Sequence, residues 1–329
     1  MILLLTSESG DQSHVDIVNW LEYYRADYLI LTGESILRGD NSLSYYKEKI
    51  FYNDIDLTKV VNVVFYRRWF YPKSLTISCN KLLNNTIINN LYSEILEIRK
   101  LLENKLTSAT WIPKGTSISV NKLHVLELAK NVGLNVPETI VTNEKKCLMH
   151  FLLKSKNGII TKAIGNYSPL ILNNTDSINP IQTKEVNFEL VQQCPDCFSV
   201  SLFQEKIPKL VELRIFYILG KFFCTAILSQ CQEDSKIDSR VINGNDCPKL
   251  EPYRLPPYIV NKLKELFNLL DLNTGSVDMI LTPDNKYFFL EINPVGQIRG
   301  YSRRSGANIE QYIANQLIKI DSTKKNDSN

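Results

Sequence analysis

The stretch YFFLEINPVGQ, residues 287–297, constrains this chain more than any other part of it. An apolar strand run carries Glu291 and Asn293, then breaks at Pro294 and Gly296. A strand this apolar is normally buried on both faces, where an isolated carboxylate is expensive. The fold must therefore supply Glu291 with a partner.

The upstream residues suggest one. GSVDMILTPDNKYFFLEIN, residues 275–293, is two apolar runs joined by Thr282-Pro283-Asp284-Asn285, which reads as a four-residue turn. Closing that turn predicts Leu281 opposite Lys286 and Asp278 opposite Phe289. Strand side chains alternate, so Asp278, Phe289, Glu291 and Asn293 share a face, with Asp278 and Glu291 as diagonal neighbours about 7–8 Å apart. Two buried like charges push one another to protonate. A hard divalent cation removes the conflict, since Mg²⁺ takes oxygen ligands and phosphates commonly complete its shell. The pattern thus points to a Mg²⁺–nucleotide site made by Asp278, Glu291 and Asn293. The alternative is a solvated edge strand with incidental acids, which the apolar flanks VDMIL and YFFLEI oppose.

A phosphate site needs cations. Lys162, in GIITKAIG, is a lone cation in an apolar strand; it reads either as an anion's partner or as a lysine snorkelling at a strand end. In FQEKIPKLVELRIFYI the charges of Glu205, Lys206, Glu212 and Arg214 interrupt otherwise buried strands, and Arg214 offers planar, bidentate recognition of phosphate or carboxylate.

Elsewhere the chain alternates strand and helix. MILLLT, ADYLILTG and KVVNVVFYRRW read as strands, and SHVDIVNWLEYY as a helix opened by Ser13, which predicts a parallel α/β part ending near residue 112. A helix from about Asn121 to Asn131, with Gly133 as C-cap, opens a second part. The short strands GIITKAI, EVNFELVQ and SLFQEKI follow. LRIFYILGKFFCTAIL then reads as a hairpin turning at Leu219-Gly220-Lys221. PPYIVNKLKELFNLLDL and GANIEQYIANQLIKI read as helices, and the tail DSTKKNDSN as disordered.

The formal net charge of +3 gives no electrostatic case for nucleic acid or an anionic membrane. No apolar run spans a bilayer, and the N-terminus lacks a basic region before its apolar stretch, so a cytoplasmic protein is expected. Seven cysteines follow no framework spacing; Cys194 and Cys197 of CPDC read as unlinked loop thiols, and the three histidines as no metal site.

With these residues in view the chain resembles the ATP-grasp ligases from about residue 113 to 318. The resemblance rests on a lysine near the opening helix, a strand lysine, a Q-E hinge, E-L-R, and a D…E-x-N hairpin. FYRRWFYP, SLFQEKIPKLVELRIFYILGKFF, AILSQ and LEINPVGQ bring it closer to the peptide maturases of graspetide biosynthesis, of the grasp-with-spasm group related to the microviridin and plesiocin ligases. That resemblance implies an α/β ATP-grasp fold in three parts. These are an N-terminal α/β domain (1–112), a central lid and peptide-binding domain (113–204) and a C-terminal catalytic domain (205–329) with a polar tail from about residue 321.

The resemblance also implies a reaction: an Asp or Glu side chain of a ribosomal precursor peptide is phosphorylated, then joined to a Ser or Thr hydroxyl or a Lys amine. The implied cofactors are ATP and two Mg²⁺, and the implied partners a leader-plus-core peptide and a second copy of the chain. By position, Lys122 and Lys162 would contact the phosphates, Gln204, Glu205, Lys206 and Ile207 would form the adenine hinge, and Glu212 would hold the ribose edge. Arg214 would face the acyl phosphate, and Asp278, Glu291 and Asn293 would hold the metal. Asp238 and Arg240, in KIDSR, would grip the acidic core peptide, although the family's aromatic middle residue is Ser239 here. Arg299, Arg303 and Arg304 read as anion binders or as a solvated helix start, and Glu185, Glu189 and Asp196 as partners of a basic leader. The alternatives are a ligase adding free amino acids to a protein or small carboxylate, like the ribosomal-protein glutamate ligases, and a non-catalytic, nucleotide-dependent peptide-binding protein.

Overall fold

The computed structural model describes residues 1–9, 12–70, 76–114, 118–165, 170–171, 177–178, 183–228 and 249–327. Cys231, Asp238, Arg240 and Cys247 lie outside them.

The first part alternates as its sequence requires. Strand β1 (Ile2–Thr6) leads to helix α1 (Ser13–Tyr23), β2 (Tyr28–Thr32) and α2 (Gly33–Arg38). A meander of β3 (Leu43–Tyr46), β4 (Lys49–Tyr52) and β5 (Ile55–Asp56) follows, then α3 (Leu57–Val60), β6 (Val63–Arg67), α4 (Lys81–Lys105) and β7 (Thr110–Ile112). The order β2-β1-β6-β7 is parallel throughout, with Leu4 paired to Ile30 on one side and Phe65 on the other. All five residues of β1 are buried, because helices cover both faces. The meander had no counterpart in the sequence reading; its strands are too short, and too exposed along β3, for a periodic signal.

Next come α5 (Lys122–Asn131), β8 (Thr139–Glu144), α6 (Lys145–Lys154), β9 (Ile159–Lys162), the small pair β10 (Leu170–Ile171) and β11 (Ser177–Ile178), β12 (Lys184–Val186), α7 (Phe188–Gln193) and β13 (Cys197–Glu205). Asn121 caps α5 by accepting hydrogen bonds from the amides of Leu123 and His124. Sheet order here is β12-β9-β13-β8, antiparallel. EVNFELVQ is not one strand: Asn187 Oδ1 accepts from Leu190 N and starts α7, so the extended part ends at Val186.

The third part holds β14 (Val211–Ile218), β15 (Lys221–Leu228), β16 (Lys249–Pro252), α8 (Pro257–Leu269), β17 (Thr274–Leu281), β18 (Tyr287–Asn293), α9 (Arg299–Ser305) and α10 (Ile309–Asp327). Its five-stranded antiparallel sheet runs β16-β15-β14-β17-β18. The β14–β15 turn falls where expected, with Leu219 and Gly220 both left-handed at φ 45° and 90°, the torsions a two-residue hairpin loop demands. Through Asp327, the last described residue, the tail is helical and not disordered. Helix α10 runs to Asp327 because Asp321 is buried and bonded: it accepts from the Met1 ammonium at 2.5 Å and Asn62 Nδ2 at 2.7 Å, and pairs with Lys325 at 2.9 Å.

Among the described residues no helix is long and apolar enough to cross a membrane.

Candidate active site

Strand β14 shows how this sheet serves two purposes. Its odd residues Leu213, Ile215 and Tyr217 enter a core with Val125 of α5, Leu263 and Phe267 of α8, and Met279 and Phe289 of the neighbouring strands. Its even residues face the other way. Phe216 and Ile218 are buried in a second core with Ile2, Phe65 and Ile313, which joins this sheet to the first sheet and α10. Glu212 and Arg214 are on that same even face, and Arg214 lines a cleft with Asp278, Glu291 and Asn293.

The predicted hairpin forms, but in a different register. Leu281 pairs with Tyr287 and Met279 with Phe289, because Thr282 and Lys286 exchange their own hydrogen bonds inside the loop. A β-bulge between Asp278 and Met279 then takes up Leu290, so that Asp278 sits directly opposite Glu291 and Ser276 opposite Asn293. Asp278 thus faces Glu291, not Phe289, and the two carboxylates are closer than the diagonal spacing predicted.

Both acids have cations beside them. Arg214 pairs with Asp278 through Nη1, and with Glu212 Oε1 through Nη2 at 2.5 Å; Lys209 lies 3.4 Å from the other Glu212 oxygen. Lys122 Nζ stands 3.9 Å from Glu291 Oε2 and donates to Ala163 O at 3.4 Å, just beyond β9. A lysine at the start of α5 therefore links the central sheet to the acid pair. Asn293 Oδ1 accepts from Val295 N at 3.0 Å, which fixes its amide.

The cleft has spare hydrogen-bonding capacity. Arg214 Nε and Ser276 Oγ are buried without hydrogen-bond partners, and such groups are costly unless something arrives to satisfy them. Among the described residues no three His, Cys, Asp or Glu side chains gather as a metal site, so a cation here would rest on two carboxylates and an amide oxygen. That set suits Mg²⁺, which takes one or two carboxylates and leaves other positions to water and phosphate.

The structure brings Lys122, Glu212, Arg214, Asp278, Glu291 and Asn293 into one connected neighbourhood. The remaining nucleotide candidates sit on or just after the strands of the central sheet. Lys162 ends β9 opposite Leu202, half-buried. Gln204 is buried and donates to Thr139 Oγ1 at 2.9 Å; Glu205 and Lys206 are fixed by backbone bonds to Glu138 and Gly158, and Ile207 is buried. The Lys206 and Glu185 side chains pair with each other. Glu189 is exposed on α7, and Asp196 offers its carbonyl to Lys145 N. Arg299 and Arg303 both pair with Asp16 of α1, at 2.9 and 2.5 Å, so these charges join α9 to the first part of the chain.

Sequence reasoning missed Arg68, Ser276 and Tyr301, which also line the cleft. Tyr301 offers its ring to the Arg214 guanidinium at 6.0 Å. Arg68 lay in plain sight within FYRRWF, but nothing in strand periodicity tells which arginine of the pair leaves the sheet.

No family model and no curated protein sequence matches the chain. Solved structures do. The macrocyclase MdnC of Microcystis aeruginosa MRC, bound with precursor peptide MdnA, superposes with a TM-score of 0.79 at 24% identity, covering 97% of this chain and 100% of that one. The Chryseobacterium gregarium RiPP-associated ATP-grasp ligase, in complex with ADP and a leader and core peptide, gives 0.72 at 22% identity over 97% and 96%. The ATP-grasp ligase PsnB, complexed with minimal precursor, Mg and ADP, gives 0.72 at 14% identity over 97% of each chain. At these identities the likeness concerns architecture, and it spans nearly the whole chain: this chain has the ATP-grasp fold.

Proposed function

We propose that the protein is an ATP-dependent, ADP-forming macrocyclising ligase. It would activate Asp or Glu side chains of a ribosomal precursor peptide and join them to Ser or Thr hydroxyls, or to Lys amines. The observation that carries this reading is the bulged pair of Asp278 and Glu291, with Asn293 beside them, at the mouth of a cleft whose arginine keeps an unpartnered N–H. The fold shared with ligases solved with precursor peptides, ADP and Mg supports it.

In this reading Asp278, Glu291 and Asn293 would hold Mg²⁺, and Lys122 and Lys162 would meet the phosphates. Gln204, Glu205, Lys206 and Ile207 would cradle the adenine, largely through backbone. Bound Mg²⁺ supplies charge neutralisation to the phosphates. Glu212, held between Arg214 and Lys209, is better suited to orienting Arg214 than to the ribose contact that the resemblance implies. Arg214 would then present its free Nε–H to the developing charge on the activated carboxylate. Asp238 and Arg240 remain the proposed grip on the core peptide, and the three-part division at residues 112 and 204 the proposed domain plan. A cytoplasmic location fits the substrate.

Mass spectrometry of a precursor peptide incubated with the enzyme, ATP and Mg²⁺ tests the proposal. Loss of about one water mass per ring, absent with Glu291→Gln, supports the macrocyclase. An unchanged peptide with free amino acids added to another acceptor overturns it in favour of an amino-acid ligase; nucleotide binding with no turnover favours a binding protein.

A further inference from the structure

The cleft contains two arginines, and they differ in one respect. Arg214 is neutralised by Glu212 and Asp278. Arg68 has no carboxylate within ion-pair distance among the described residues, and its one hydrogen bond is a long one, from Nη2 to Val295 O at 3.5 Å. Its neighbour Arg67 is buried and donates to Gly296 O at 2.8 Å, so one residue of the pair holds the loop after β18 while the other enters the cleft.

Two further facts bear on Arg68. It follows the carboxyl end of β6 in an open parallel sheet, the edge at which such sheets bind ligands. Its backbone is left-handed, at φ 49°, a conformation an arginine adopts at a cost and one that concentrates at functional sites. Arg68 and Gln297 also line a second cavity, with Gln12, Ser13 and Arg299, so Arg68 stands where the two spaces meet.

We infer that Arg68 is the residue that recognises the substrate's carboxylate: the acidic side chain of the incoming peptide pairs with its guanidinium across the cleft from Asp278 and Glu291. The inference rests on the ligase reading and deepens it. Among the described residues that line this cleft, an entering carboxylate meets two acids that repel it and one arginine already neutralised, which leaves Arg68 as its counter-ion there. Arg68 is thus a specificity-determining residue, and the nucleotide does not depend on it.

The test uses the full chain and two probes. Mg²⁺–AMPPNP binding is measured by calorimetry. A short fluorescein-labelled peptide of alternating threonine and aspartate, and its asparagine counterpart, are then bound by anisotropy with that nucleotide present. Arg68→Gln is expected to weaken the aspartate probe about 10- to 100-fold, as for loss of a charge-assisted pair. It should leave nucleotide affinity and melting temperature unchanged, and should not weaken the asparagine probe further. Arg68→Lys, which keeps the charge and loses the fork, should recover part of the affinity. Equal loss of nucleotide affinity would overturn the inference by placing Arg68 on the phosphates. Equal weakening of both probes would overturn it by reducing Arg68 to a loop clamp. Wild-type protein that binds the nucleotide but neither probe rejects the role of Arg68 alone, whereas failure to bind Mg²⁺–AMPPNP rejects the ligase reading and this inference with it.

Discussion

Two acidic sites in this molecule, one buried and one partly exposed, handle the same problem differently. Asp321 is enclosed by the Met1 ammonium, Asn62 and Lys325, all within 2.9 Å, on a helix end that closes the first sheet. Glu291 faces another carboxylate directly, keeps nearly a third of its side chain exposed, and has its lysine 3.9 Å away. An acid whose partners are all internal and close stabilises the fold. An acid with a distant cation and a like-charged neighbour leaves room for something the chain does not contain. Like charges directly opposite on a sheet are unfavourable, so this arrangement costs stability at rest.

The largest effect should therefore fall on activity alone. Glu291→Gln is expected to reduce ligation by about 100- to 1,000-fold, the scale for losing one preorganised electrostatic group. Its melting temperature should hold or rise, because the repulsion with Asp278 is relieved. Peptide mass spectrometry beside thermal unfolding measures both, and a variant that loses stability but keeps ligation would place Glu291 with Asp321. The opposite face of the same hairpin should behave the other way. Phe289 is fully buried against α8 and its neighbouring strands, and Phe289→Ala should cost about 3–5 kcal/mol in urea unfolding. Nucleotide affinity of the folded fraction should be little changed.

The hairpin also shows what a sequence can and cannot display. That Asp278, Glu291 and Asn293 share a face was readable from alternation, yet the predicted register was wrong, and the conclusion survived because two departures compensate. The loop is one residue longer than the turn suggested, and the bulge at Leu290 restores the lost phase. A bulge inside an apolar run has no composition signal, since it is chosen by what lies on either face. The first sheet, the β14–β15 turn and the cap at Asn121 were legible because each depends on residues close in sequence. The ordered tail was not, because Asp321 takes its partners from residues 1 and 62, far back in the chain. Arg68 escaped for the same reason: its significance lies in the absence, among the described residues, of a carboxylate that only the assembled cleft could have supplied.

A smaller effect should follow from the loop that ends the hairpin. A Cβ on Gly296 would overlap the Oγ and Cβ of Ser276, with the Ser276 Cα only 3.3 Å away. The glycine thus permits close approach between this loop and β17, while Val295 enters the first part's core and Arg67 grips the Gly296 carbonyl. Gly296→Ala should cost about 1–3 kcal/mol, as for an overpacked site, and lower peptide turnover more than nucleotide affinity by shifting Arg68 and Asn293. Ser276→Gly in the same chain should restore most of the stability. Failure of that rescue would mean that the loop is held by something other than this contact.

The smallest expected effect tests the other half of the comparison. Burial alone would raise the Asp321 pKa, but the Met1 ammonium, Lys325 and Asn62 overcome it and hold the carboxyl below its ordinary value. A depressed carboxyl pKa means stability that is fully present above the unfolded-state pKa, about 3.9, and lost as pH falls through the folded-state value. Asp321→Asn should therefore destabilise the protein at neutral pH by about 1.5 kcal/mol, with no change in ligation per folded molecule. The gap between variant and wild type should close as the pH is lowered below about 4, because the wild-type acid is then losing its charge while both cations stay protonated. Chemical denaturation across that range measures the gap. A gap that persists into acid would assign the contribution of Asp321 to packing and not to its charge, and the two acidic sites would then differ in more than the closeness of their cations.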